Sequence, residues 1–168
     1  IRPCICCHNA CFNLCHYKGV PNDQSLSDTA GMARCALNPE TMQSKKYFIK
    51  QTKNKKNIAV IGGGIGGMEA ARVLKMRGHN VVIYEKSDHL GGVFIAASNL
   101  SFKEKDRELL KWYNKEIKDL GIKVIFNHEV TDLATIKADE YIIATGSKAK
   151  SLRIKGIENA IEACDYLY

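Results

Sequence analysis

The sequence predicts an α/β fold, a parallel sheet with helices packed on its faces, preceded by an irregular cysteine-rich segment. Three observations carry this. From Asn57 onward, short apolar runs alternate with longer stretches of helical spacing. A glycine-rich turn joins the first of these runs to the first helical stretch. Six of the seven cysteines lie between Cys4 and Cys35, so the α/β portion is nearly free of them.

Composition divides the chain into 1–42, a cysteine-rich segment; 43–56, a basic linker; and 57–168, an α/β domain read as incomplete. The first segment lacks regular hydrophobic periodicity and is interrupted by "KGVPNDQSLSD", whose Gly, Pro, Asn, Asp and Ser suit a loop. In the third, "IAVI" (Ile58 to Ile61) reads as a buried strand. A helix follows from Ile65 to Arg77, stopped by Gly78, and Val81 to Tyr84 is the next strand. "KEKDRELLKWYNKEIKDLG" spaces Leu109, Leu110, Tyr113, Ile117 and Leu120 at helical intervals and stops at Gly121. "IKVIF" and "EYIIATG" supply two further strands. Tyr84, Tyr113 and His128 read as core or helix-face residues, and no residue stands out as a catalytic acid or base.

Length and a 45% hydrophobic content suit one compact core with a small appended module. No apolar run approaches the length of a bilayer span, and the first thirty residues do not resemble a secretory signal, so a cytoplasmic protein without membrane contact is expected. The net charge of +7 raises nucleic acid as a partner. The lysines between Lys45 and Lys56 lack aromatic or arginine periodicity, however, and read as a solvated linker. The chain opens at Ile1 and reads as a piece of a longer protein.

Gly62, Gly64 and Gly67 form G-x-G-x-x-G directly after a strand and before a helix, the context that makes this short motif specific. One glycine permits the tight turn, the next lets backbone approach a pyrophosphate, and the third lets the helix sit close to the strand. The diphosphate would then meet unpaired amides at the positive end of the helix. Glu85, 23 residues beyond Gly62, ends the second strand where a carboxylate accepts bonds from a ribose diol and repels a 2′-phosphate. A Rossmann-like three-layer domain holding the ADP moiety of NAD or FAD is therefore expected.

Two more segments, "EKSDHLGG" with Gly91 and Gly92, and "YIIATG" ending at Gly146, follow in order. With them the sequence resembles the two-dinucleotide-binding flavoproteins, in which these four segments wrap FAD. The resemblance implies that Gly62, Gly64, Gly66 and Gly67 contact the pyrophosphate, Glu85 the adenosine ribose, and that Gly91 and Gly92 pack near the dinucleotide. It implies that Val130 meets adenine through its backbone and that Thr145 and Gly146 lie beside the cofactor. Lys86 either lines the ribose pocket or is a plain exposed lysine.

"RPCICCHNACFNLC" followed by "CALNP" gathers thiolates, soft anionic ligands that suit an iron-sulfur cluster or a structural zinc. This arrangement, a basic linker and then the flavin motif, is similar to the 2,4-dienoyl-CoA reductase, 2-enoate reductase and trimethylamine dehydrogenase group, multidomain relatives of old yellow enzyme. The resemblance implies that Cys4, Cys7, Cys11 and Cys35 hold a 4Fe-4S cluster, with "YKGVPNDQSLSD" as a loop insertion between the third and fourth. Cys15 and Cys6 compete for a ligand position, and His8 and His16 keep zinc open.

It further implies a relay in the full enzyme, from NAD(P)H through FAD and the cluster to an FMN barrel that reduces an activated C=C bond of a small molecule. The barrel and the nicotinamide-nucleotide domain would belong to the same polypeptide. The chain alone is expected to catalyse no turnover and to hold FAD weakly. Two other classes fit the residues less fully: an NAD-binding dehydrogenase domain and a zinc-stabilised interaction module.

Overall fold

The computed structural model describes residues 1–12, 33–150 and 152–168. Cys15, His16 and the insertion expected at 17–28 lie outside the described residues. The chain forms two compact units, Cys4–Lys50 and Ile1–Pro3 with Gln51–Tyr168.

In the cysteine unit, a short helix, α1 (Ser44–Tyr47), falls within the stretch read as linker. Gln43 just before it is buried, and its Oε1 has no hydrogen-bond partner among the described residues.

The larger unit runs β1 (Asn57–Ile61), α2 (Ile65–Met76), β2 (Asn80–Tyr84), α3 (Phe94–Ser98), α4 (Glu104–Asp119), β3 (Lys123–Ile125), β4 (Glu140–Ile143) and α5 (Ala163–Leu167). The strands form one sheet in the order β3-β2-β1-β4, every pairing parallel. Asn57 and Asn80 extend β1 and β2 one residue beyond the apolar runs, their side chains bonded to each other at 2.9 Å. β3 stops at Ile125, one residue short of the apolar run, and Phe126 is exposed.

Strand alternation sends Ile58, Val60, Val81 and Ile83 to one face, where α2 packs, with α4 against α2. Met68 and Ala71 of α2 and Leu109, Tyr113 and Ile117 of α4 are buried there. On the other face Ala59, Ile61 and Ile136 form a cluster, with Val130, Ala138, Tyr84 and Tyr141 packed around it. The third layer is therefore irregular chain around a 3-10 turn at Leu133–Thr135. Each large side chain buried in this way contributes about 1.5–3 kcal/mol.

Both long helices end as their glycines predict. His79 N–H reaches Leu74 O at 3.1 Å and Gly78 N–H reaches Lys75 O at 2.9 Å. Ile122 to Ile117 and Gly121 to Lys118, each at 3.0 Å, repeat the pattern after α4. The residue between needs a left-handed backbone, supplied by Gly78 (φ 95°) and Gly121 (φ 60°).

Ahead of the first cysteine, Arg2 belongs to the sheet unit. Its Nη2 donates to both Glu69 oxygens at 2.9 and 3.0 Å, and its guanidinium lies 4.8 Å from the Trp112 ring centre. Arg72 donates to the same carboxylate. Burial opposes charge on Glu69, but Arg72 and Arg2 outweigh it and hold the carboxyl below its usual range. Beside them Tyr113 is pushed up to about 12, by burial first and then by Glu69. Among the described residues no helix is long and apolar enough to cross a membrane.

Candidate functional site

Strand order reverses between β1 and β4, and in open parallel sheets ligands bind beyond the carboxyl ends of the strands at such a point. The Gly62–Gly67 turn occupies that place, between Ala144–Gly146 after β4 and the Gly91–Gly92 turn. Gly62 N–H donates to Tyr84 O and Ala144 N–H to Ile61 O, each at 2.8 Å, fixing the turn to both neighbouring strands.

The glycines divide by what surrounds them. A Cβ on Gly62 would stand 2.3 Å from Ala144 O, and its φ of 106° disfavours any side chain. A Cβ on Gly67 would stand 1.9 Å from Gly62 O, so this glycine lets α2 sit against the strand end. Gly64 and Gly66 instead face open space, with nothing within 4 Å of a Cβ. No acidic residue occupies the first turn of α2 and no side chain caps it. Within its first turn the N–H groups of Gly66 and Gly67 make no hydrogen bond with described residues. The donors, the open space and the dipole suit a diphosphate.

Gly91 N–H donates to Gly63 O at 2.9 Å, and a Cβ on Gly92 would stand 3.3 Å from Gly64 Cα. The Gly-Gly turn therefore lies directly against the glycine loop. Tyr168 O–H donates to Gly92 O at 3.0 Å.

Glu85 is buried just beyond β2. Its Oε2 accepts Gly63 N–H at 2.6 Å, and its Oε1 accepts both the N–H and the hydroxyl of Ser87 at 2.8 Å. Burial alone would raise its pKa, but the Ser87 and Gly63 donors, with help from Lys86, hold it below the ordinary value. Because the folded pKa is lowered, these bonds stabilise the fold fully above the ordinary value of 4.5 and are lost as pH falls through the lower folded value. Glu85→Gln is expected to be less stable than wild type at pH 7 and to lose less on acidification; urea unfolding across pH 3–7 compares the two.

Lys86 is exposed, as are Thr145 and Gly146 at the strand ends. Val130 packs its side chain on the Ala59 cluster, while its N–H and C=O make no hydrogen bond with described residues. His128 is exposed rather than buried, its ring 5.4 Å from that of Tyr84. Sequence alone does not single out Gly63 and Ser87. Gly63 is a variable position of the motif, and nothing in the spacing marks Ser87 as a partner of Glu85.

In the other unit Cys4, Cys7, Cys11 and Cys35 line one largely apolar cavity of about 90 Å³, with Cys6 and His8 at its wall. Arg34 N–H donates to Ala10 O at 3.1 Å and joins the two cysteine-bearing segments. Cys6 N–H points at Cys4 Sγ (3.3 Å) and Leu37 N–H at Cys35 Sγ (3.4 Å), the kind of bond that tunes a cluster's sulfurs. Among the described residues no three His, Cys, Asp or Glu side chains are grouped as a single metal ion requires. The His8 ring stands edge-on to Phe12 at 5.9 Å.

The pyridine nucleotide-disulphide oxidoreductase family model matches residues 20–135 and 56–167. The chain is 36% identical to a cinnamate reductase of Clostridium sporogenes over 99% of its own length and 24% of that protein. It is likewise 36% identical to an NADH oxidase of Thermoanaerobacter brockii over 94% of its length and 23% of that protein. A solved 2-naphthoyl-CoA reductase in complex with 2-naphthoyl-CoA superposes with a TM-score of 0.74 at 34% identity, covering 82% of this chain and 22% of that one. The chain thus spans about a quarter of the length of the curated relatives it matches. Family match, relatives and fold agree: the chain belongs to the pyridine nucleotide-disulphide oxidoreductase family, in its 2-enoate and dienoyl reductase group.

Proposed function

We propose that this chain is the FAD- and cluster-holding portion of an NAD(P)H-dependent flavin oxidoreductase that reduces an activated C=C bond of a small molecule. The remaining parts, an FMN barrel and a nicotinamide-nucleotide domain, would lie in the same polypeptide, in the cytoplasm, with no nucleic acid or membrane partner. The observation that carries this reading is the four-thiol cavity of Cys4, Cys7, Cys11 and Cys35, present in one chain with an open diphosphate cradle at Gly64 and Gly66.

When bound, FAD would accept a hydride from reduced nicotinamide and a 4Fe-4S cluster would pass single electrons onward. The tasks of this chain's residues are to hold and to select. The first amides of α2 grip the diphosphate, with Gly64 and Gly66 leaving it room. Glu85 takes a ribose hydroxyl and repels a 2′-phosphate. Val130 offers its backbone edge to adenine, and Thr145 and Gly146 border the cofactor. The four thiolates supply the charge that an iron-sulfur core needs.

The test is strictly anaerobic purification followed by iron, sulfide and zinc assay, with calorimetry against AMP and adenosine 2′,5′-bisphosphate, which differ only by the 2′-phosphate. Iron and acid-labile sulfide in equal amounts are expected. AMP is expected to bind at least about tenfold more tightly than its 2′-phosphorylated counterpart, the scale of one charge-assisted hydrogen bond replaced by repulsion between two anions. Zinc without sulfide would point to an interaction module instead. Tight NAD binding without affinity for FAD would point to a plain dehydrogenase domain.

A further inference from the structure

We propose that Ser87 is a positioning residue of the nucleotide site, holding the Glu85 carboxylate so that Oε2 is the oxygen presented to the ribose; this rests on the adenine-nucleotide reading given above. A carboxylate has about four acceptor positions. Ser87 takes both on Oε1, through its N–H and its hydroxyl at 2.8 Å each. Gly63 N–H takes one on Oε2 at 2.6 Å, and the described residues leave the last one there open. One acceptor position thus stays open on Oε2, beside Gly63, the residue that immediately precedes the open space at Gly64.

Ser87 is itself fixed. Asn127 N–H donates to Ser87 O at 3.0 Å, which ties it to the chain after β3. Its Oγ also lies 2.8 Å from His89 O. A hydroxyl has one proton, so it serves either Glu85 or His89 at a given moment. That leaves two roles to separate. If Ser87 works through His89, it shapes the loop that leads to Gly91 and Gly92; if it works through Glu85, it aims the ribose contact.

Ser87→Ala in the full chain removes the hydroxyl and keeps the N–H bond, and ADP with 2′,3′-dideoxy-ADP as paired probes isolates the ribose contact. Wild type is expected to prefer ADP by about tenfold, one charge-assisted hydrogen bond. Ser87→Ala is expected to bring that preference to about threefold or less, with dideoxy-ADP affinity unchanged, and Ser87→Thr to restore it. A second readout is the acid limit of ADP binding. Losing a donor to the carboxylate moves that limit upward, set against the other charged and titratable groups nearby, which are Lys86, Asp88, His89 and His128.

Equal weakening of both nucleotides by Ser87→Ala would overturn the proposal, since a loop defect acts on the diphosphate and the ribose alike. A preference unchanged from wild type would also overturn it. A wild-type chain that binds no ADP, or binds ADP and dideoxy-ADP equally, refutes the site reading itself and this proposal with it.

Discussion

Gly62→Ala is expected to lower the unfolding free energy by about 3–5 kcal/mol, a large part of the total for a domain of this size. Two costs combine. The added methyl meets Ala144 O at 2.3 Å, and the backbone is held at φ 106°, where a side chain is strained. Gly67→Ala carries the steric cost alone, at 1.9 Å from Gly62 O, and should cost about 2–3 kcal/mol because backbone cannot swing aside as a flexible side chain does.

Gly66→Ala should act in the opposite direction. Its Cβ meets nothing within 4 Å, and alanine in a helix is favoured over glycine by up to about 1 kcal/mol, so the nucleotide-free protein gains stability. The same methyl fills space meant for the diphosphate, and ADP affinity should fall at least about tenfold. Urea unfolding followed by Trp112 fluorescence, beside ADP titrations, reads both effects. A Gly66→Ala chain that binds ADP as wild type does would remove the diphosphate from that space.

The second large effect concerns the cysteine unit. Gln43 is its one buried residue among those described, so Cys4–Lys50 has no apolar core of its own in that part. On the proposed reading its stability would come from metal ligation, as it does in small metal-dependent domains. Ser substitution of Cys4, Cys7, Cys11 or Cys35 is expected to abolish stoichiometric iron and sulfide, whereas Cys6→Ser and Cys15→Ser should retain them. Iron removal should then release the Arg34 amide, bonded to Ala10 O, to rapid hydrogen exchange. Amides of Val60 and Ile83, inside the sheet, should stay protected. Undiminished protection at Arg34 without iron would show that the unit folds by other means.

The parts of the fold legible in the sequence are those with a strong period. The apolar run before Gly62, the stripe Leu109, Tyr113, Ile117 and the glycines after both long helices all carry local signals that tertiary contacts reinforce. The short α3 is not legible, because five residues hold too few repeats to show a period and its place depends on α4 and α5. Gln43 and α1 are hidden by the lysines around them, whose composition suggests linker whatever one residue does. At the nucleotide site the motif announces Gly62, Gly64, Gly67 and Glu85. It cannot announce that Gly63 and Ser87 share the carboxylate, since a backbone donor has no sequence signature.

β4 lies beside β1 although far from it along the chain, and this bears on the order of assembly. Asn57 and Asn80 are 23 residues apart, while Asn57 and Asp139, which join the same strand end to the approach of β4, are 82 apart. Closing the longer loop costs more chain entropy, so β1, α2 and β2 are placed to come together first and β4 to arrive late. The crevice at the strand-order reversal does not exist until that arrival. A nucleotide bound in that crevice would stabilise only the state in which β4 is already in place.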